Sequence, residues 1–281
     1  MSLMRKLAQH AIETHPTQAT TVLERLDQTK VIGALERGSV ASAATIVERL
    51  SPQFATAVVS GARPAVAARI LEALPADAAT RVVRRLDPDL QEALLEQIDA
   101  ARARSIRSTL HFREGSAGAL MDPDVLALPG ELSVRDALRR LRKAPELARY
   151  NLYVVDETQR LVGAVNLREL MLARGSHLLV DVMARDPHRV VATADQATVI
   201  GHPGWRSVHA LPVVDFADAF LGAIRYRVLR RLEEDLLAAR SQDADTAAAF
   251  GQVISAGARG LIDALSGAIE GDVGRAGRGA G

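Results

Sequence analysis

Cysteine is absent from this chain, so disulfides, thiolate nucleophiles and sulfur-ligated zinc are excluded, and a reducing, cytoplasmic setting is expected. Aromatic residues make up only 3% of the 281, against 48% hydrophobic overall, which leaves Ala, Leu and Val to build the interior. No apolar run approaches the roughly 20 residues of a membrane helix, and the N-terminus has no signal-peptide core. The expectation is therefore a protein with no transmembrane segment. Excess charge of one sign is missing too: 35 basic residues face 34 acidic ones, and a net charge of +1 argues against a nucleic-acid partner. The seven histidines fall into no H-x-H or H-E-x-x-H spacing, and no G-x-S-x-G, P-loop or dinucleotide fingerprint occurs. The reading is a protein that is not an enzyme.

What the chain does have is repetition. Asn151 to Leu170, NLYVVDETQRLVGAVNLREL, returns as Ala210 to Leu229, ALPVVDFADAFLGAIRYRVL. Val154-Val155-Asp156 corresponds to Val213-Val214-Asp215, Gly163 to Gly222, and Leu170 to Leu229, always at the same offset. Each copy predicts an apolar strand, a turn, a second strand closing near Gly, then a helix. This β–turn–β–α pattern resembles a CBS domain, a module that comes in tandem pairs.

A second repeat precedes it. Leu26-Asp27, Gly38-Ser39, Leu50-Ser51-Pro52, Ala62-Arg63-Pro64, Leu74-Pro75-Ala76 and Leu86-Asp87-Pro88 recur at a constant interval as turn and N-cap signals. Short apolar segments at helical spacing lie between them, such as Phe54-Ala55-Val58-Val59. Helices this short cannot bury an apolar stripe alone, so stacking into a superhelix is expected, with an ordinary helical bundle as the alternative.

The joint between the two systems reads His111-Phe112-Arg113-Glu114-Gly115-Ser116-Ala117-Gly118-Ala119-Leu120-Met121-Asp122-Pro123. Helical repeats with Leu-x-Pro turns, this E-G-S-A-G-x-L-M segment, then YVVD and GAVNLREL resemble, in that order, the cytosolic part of the MgtE magnesium transporters. The resemblance covers roughly residues 20–240 and implies a helical repeat domain over 20–110, the joint at 111–123, and CBS units over 124–180 and 181–240. An N-terminal segment over 1–19 and a linker, helix and tail over 241–281 lie outside it. The expected fold class is an α-helical superhelical repeat domain followed by a tandem α/β CBS pair and, from the spacing of apolar residues alone, a C-terminal amphipathic helix.

In that family acidic residues of the helical domain face acids near the CBS pair across bound magnesium, which favours carboxylate oxygens. Carried over, the implied ligands are Asp89 and Glu92 in the helical domain, and Glu233, Glu234 and Asp235 after the second CBS helix. The chain departs from the pattern at Arg225, Arg227, Arg230 and Arg231, which stand where acids are typical. Arginine binds carboxylates directly, so the alternative to a metal site is that these four hold the helical domain's acids through a network of salt bridges.

Other CBS pairs bind adenine nucleotides through a G-h-h-[ST]-x-x-D run. Here Gly163, Asn166 and Glu169 are the matching positions of the first copy, while the second copy has Val228 at the acidic position and is expected to bind no ribose. Gly201-His202-Pro203-Gly204-Trp205 is expected to break the second copy's helix. The functional expectation is a regulatory module that senses magnesium and acts on a separate transporter or other protein, as a homodimer through its CBS helices. A nucleotide-responsive subunit and a metal-independent scaffold are the alternatives. Phe250, Val253, Ile254, Leu261 and Leu265 predict an amphipathic output helix within 245–270, followed by a disordered tail from Gly271.

Overall fold

The computed structural model describes residues 23–144 and 151–237. The output helix and tail expected beyond 245 lie outside the described residues. Backbone contacts separate a unit Met1–Leu229 from a unit Arg230–Gly281. Of the second, the described residues, 230–237, are helical.

The twelve-residue interval is a helix interval. Helices α1 (Gln28–Arg37), α2 (Val40–Arg49), α3 (Pro52–Gly61), α4 (Pro64–Ala73), α5 (Ala76–Val83), α6 (Pro88–Leu95) and α7 (Ala100–Leu110) each begin twelve residues after the last. Side chains of Asp27, Ser39, Asp87 and Asp99 accept hydrogen bonds from the first free N–H groups of their helices. Each helix is too short to stand alone and packs against its second neighbour: α1 on α3, α2 on α4, α3 on α5, α4 on α6, α5 on α7. One apolar core runs through the stack, with Val47, Val58, Ile70, Leu71, Ala79, Val83 and Leu94 fully buried. Nearly all of it is aliphatic, as the shortage of aromatics requires.

Ser51 does not cap its helix with its side chain. Its backbone N–H donates instead to Glu24 Oε1 at 2.6 Å. The same bond recurs from Arg63 N–H to Glu36 at 2.9 Å and from Asp99 N–H to Glu72 at 3.4 Å. An acid thus reaches the N-terminus of a helix three further along, where backbone donors and the helix dipole both favour negative charge. The bond from the Arg63 backbone is the main reason the Glu36 carboxyl lies below the usual carboxylate range.

The α/β part begins with α8 (Ala117–Leu120) and β1 (Ala127–Pro129), followed by α9 (Val134–Lys143), β2 (Asn151–Val155), β3 (Leu161–Asn166) and α10 (Leu167–Leu172). Next come α11 (Leu179–Val182), β4 (Ala184–Arg185), β5 (Val190–Val191), α12 (Gln196–Ile200), β6 (Ala210–Val214) and β7 (Phe220–Arg225). One sheet has the order β1-β2-β3-β4 and the other β5-β6-β7. In both, a parallel pair precedes an antiparallel hairpin, and the hairpin register shifts at equivalent places, Val154/Val155 and Val213/Val214. The Asp of each VVD is a turn residue. Asp156 Oδ1 accepts from Thr158 and Arg160 N–H, and Asp215 Oδ1 from Ala217 and Ala219 N–H.

The two CBS units, both within Met1–Leu229, exchange segments. β4 lies in the second half of the sequence but pairs with β3 of the first sheet. In return Asp122, in the joint, exchanges backbone hydrogen bonds with Ala223 of β7 at 2.9 and 3.0 Å. A Cβ on Gly222 would stand 2.5 Å from the Asp122 carbonyl oxygen, so only glycine lets the joint cross this strand. Gly163, its counterpart, gives the same room to Met183. Strands β2 and β6 are buried on both faces: Leu152 and Val154 point to the first unit's helices, while Tyr153 points to a cluster with Leu161, Ala210, Val214 and Ala223 shared by both sheets.

The break expected in the second unit is present. α12 ends at Ile200, and Pro203–Arg206 form a single 3-10 turn. His202 caps that turn, its Nδ1 accepting from Gly204 N–H at 3.1 Å. Burial and the neighbouring His188 lower the His202 pKa, against an opposing hydrogen bond to the Arg189 backbone. A depressed histidine contributes stability that is full above its unfolded value of about 6.5 and is lost as pH falls through the folded value. His202 is therefore expected to titrate below 6.5 in an NMR pH series. His202→Gln is expected to reduce the fall in melting temperature between pH 7 and 5, and an unchanged fall would assign it to other groups.

Candidate functional site

Helix formation resumes directly after β7, and residues 226–229 carry Arg227 against the helical domain. Its guanidinium bridges two carboxylates from different helices: Nη1 donates to Glu48 Oε1 of α2 at 2.9 Å, and Nη2 to Asp77 Oδ1 of α5 at 3.2 Å. Glu48 and Arg227 are about one-third exposed (30% and 38%), whereas the Asp77 side chain is 3% exposed. Asp77 also stands in the first turn of α5, where an acid is favoured. The planar fork of arginine suits this two-acid arrangement, which a lysine would engage only as a point charge.

Three further arginines tie the joint. Arg225 pairs with Asp122, and both are largely buried, at 17% and 12% exposure. Burial raises the Asp122 carboxyl above its ordinary value, and Arg225 opposes the shift. Arg85 of α5–α6 pairs with Glu114, the acid of the joint motif, and Arg102 of α7 lies 3.7 Å from Asp124. The expectation that arginines would hold the helical domain's acids is met by Arg227. It needs correction for Arg225, whose acid belongs to the joint, and for Arg230, which faces Glu234 one turn along its own helix at 3.7 Å.

The acids named for magnesium lie elsewhere. Asp89 is exposed in the first turn of α6, and Glu92, on the same helix, pairs with Arg107 of α7. Glu233 is half-buried, and Glu234 and Asp235 are exposed, on the helical residues 230–237. Among the described residues no three acidic or histidine side chains gather as a metal group. Of the nucleotide positions, Gly163 is buried against Met183. Asn166 caps α10 by accepting from Arg168 N–H at 2.9 Å, and Glu169 is exposed. Val228 is buried.

Glu48, Asp77 and Asp122 were not singled out from the sequence. Their signal was available for Glu48 alone, as one member of the regularly spaced acids 24, 36, 48 and 72. Asp77 and Asp122 are marked by burial, which only the fold reveals.

Known proteins agree with this architecture. Residues 14–115 match the MgtE intracellular N domain and residues 117–176 match the CBS domain. The magnesium transporter MgtE of Enterococcus faecalis is 30% identical over 124 residues, which is 43% of this chain and 27% of that protein. That of Thermus thermophilus is also 30% identical, over 45% of this chain and 28% of its own length. The matched part thus spans little more than a quarter of either relative. A crystal structure of the cytosolic domain of the Mg2+ channel MgtE in complex with ATP aligns with a TM-score of 0.64 and 26% identity, covering 80% of this chain and 98% of that one. The soluble part of a magnesium transporter shares the fold at a TM-score of 0.59 and 21% identity. No helix among the described residues is long and apolar enough to cross a membrane. Helical repeats, joint and paired α/β units in this order give the chain a match to the MgtE intracellular N domain followed by a CBS pair.

Proposed function

We propose that this chain is a regulatory module for an MgtE-type magnesium transporter, and that Arg227 holds its helical domain on its CBS pair without a requirement for magnesium. The observation that carries this reading is the bridge from Arg227 to Glu48 and Asp77, a fixed protein cation between two acids of the other domain. A guanidinium in that place repels a second cation and donates to both carboxylates. The module then reports its closed state to a membrane transporter or another protein partner. A homodimer through the CBS helices belongs to this reading, with Met171 and Leu172 of α10, 67% and 77% exposed, offering apolar surface for it.

Small-angle scattering of the full chain between zero and millimolar magnesium, with calorimetry alongside, tests the proposal. The radius of gyration is expected to stay constant and the heats to show no saturable uptake; the same curves report the mass of the particle. Saturable magnesium binding accompanied by compaction would return the sensing role to Asp89, Glu92, Glu233, Glu234 and Asp235 and overturn the clamp. An adenine-nucleotide role is the second reading, favoured by the ATP complex of the similar cytosolic domain. Calorimetry with ATP on the wild type and on Glu169→Ala decides it: heats that vanish in the variant support a site at Gly163, Asn166 and Glu169.

A further inference from the structure

The capping acids of the helical repeat follow one rule with one exception. Glu24, Glu36 and Glu72 accept from the backbone N–H of Ser51, Arg63 and Asp99, and each partner lies twenty-seven residues further on. Each of those partners is the N-cap residue of its helix. Glu48 occupies the same register, and twenty-seven residues beyond it is Pro75, the N-cap residue of α5. Proline has no N–H, so the donor that the other three acids use is missing from this one place. The Glu48 carboxylate accepts from Arg227 instead.

We infer that Pro75 releases Glu48 from the capping series and so makes it available to Arg227, and that this one residue determines whether Glu48 joins Asp77 in tying the repeat domain to the CBS pair. The inference rests on the clamp proposed above and names what controls it. The physical basis is competition for one carboxylate. A backbone N–H at a helix N-terminus is an orphan donor that a nearby acid satisfies within its own domain, with no second domain to position. Arg227 must reach Glu48 from another domain and from a partly exposed setting, where a single ion pair is weak. With a local donor present, the local bond wins. With proline there, the interdomain bond has no rival at that position.

Double-mutant cycles in the full chain test this, read as unfolding equilibrium constants from urea melts. Glu48→Gln and Arg227→Gln are combined first in the wild-type background and then in Pro75→Ala, with Pro75→Ser as a second background in case the alanine variant folds poorly. Non-additivity of roughly two- to five-fold is expected in the wild type, as for a partly exposed pair. In both position-75 backgrounds the two substitutions are expected to become additive, and the new amide at 75 is expected to be protected from hydrogen exchange. Coupling that persists undiminished beside an unprotected amide overturns the role of Pro75 while leaving the clamp intact. Additivity already in the wild type overturns the Glu48 arm of the clamp, and this inference with it, while the Asp77 arm is judged by the scattering of Arg227→Ala.

Discussion

Tyr153→Ala is expected to cost about 3–5 kcal/mol in a urea melt, the range for deleting a large aromatic side chain from a packed core. Tyr153 is 2% exposed and lies where the two sheets share a core with Leu161, Ala210, Val214 and Ala223. Its ring stacks at 4.8 Å on Phe220 of the second unit, so truncation empties a space lined by both units. The hydroxyl contributes much less. It reaches the Ala210 carbonyl at 3.4 Å, long for an O–H···O bond, and also the Asn151 side chain, and burial outweighs that contact and pushes its pKa well up, so it stays neutral. Tyr153→Phe is accordingly expected to cost under about 1.5 kcal/mol. A Phe variant as damaged as the Ala variant would show that the hydroxyl, not the ring, joins the sheets.

Arg227→Ala is expected to lower stability by about 1–3 kcal/mol and to expand the molecule in scattering. Asp77 sets the larger part of that effect, because removing a cation from a buried carboxylate exposes its desolvation cost. Glu48 adds little, being one-third exposed and screened by solvent. The helix dipole at the start of α5 keeps part of the Asp77 charge satisfied, which holds the figure below that for a fully buried broken pair. Arg227→Lys is expected to recover only part of the loss, since an ammonium does not fork between two acids. If Arg227→Ala leaves both the melt and the scattering curve unchanged, the bridge does not hold the domains together.

Much of this was legible beforehand because it is written locally. Proline, serine and aspartate recur where each short helix must start, and a helix start is decided by the few backbone donors beside it. The VVD turns were legible for the same reason: aspartate bends its own backbone, so Asp156 and Asp215 marked both hairpins at the shared offset. The break at Gly201 to Trp205 also follows from proline and glycine within a few residues of one another.

The site was legible only in part. Arginine in place of acid announced direct carboxylate binding, and Arg227 makes it. The sequence did not reveal which acid each arginine would take. Arg225 and Arg227 are two residues apart, yet one ends β7 beside the joint while the other starts the following helix against the repeat domain, so their partners lie in different segments.

Composition, helix period, turn chemistry and the tandem α/β copies were determined by the sequence itself, since each depends on residues close along the chain. The segment exchange that places β4 in the first sheet and Asp122 beside β7 was decided by tertiary structure, as was the burial that makes Asp77 and Asp122 electrostatically important. A carboxylate acquires that importance when packing removes its water, and packing joins residues far apart in the chain. Glu48 shows both levels. Its place in the regular series and the missing N–H of Pro75 are sequence facts, but only the stacked helices bring its carboxylate within reach of Arg227.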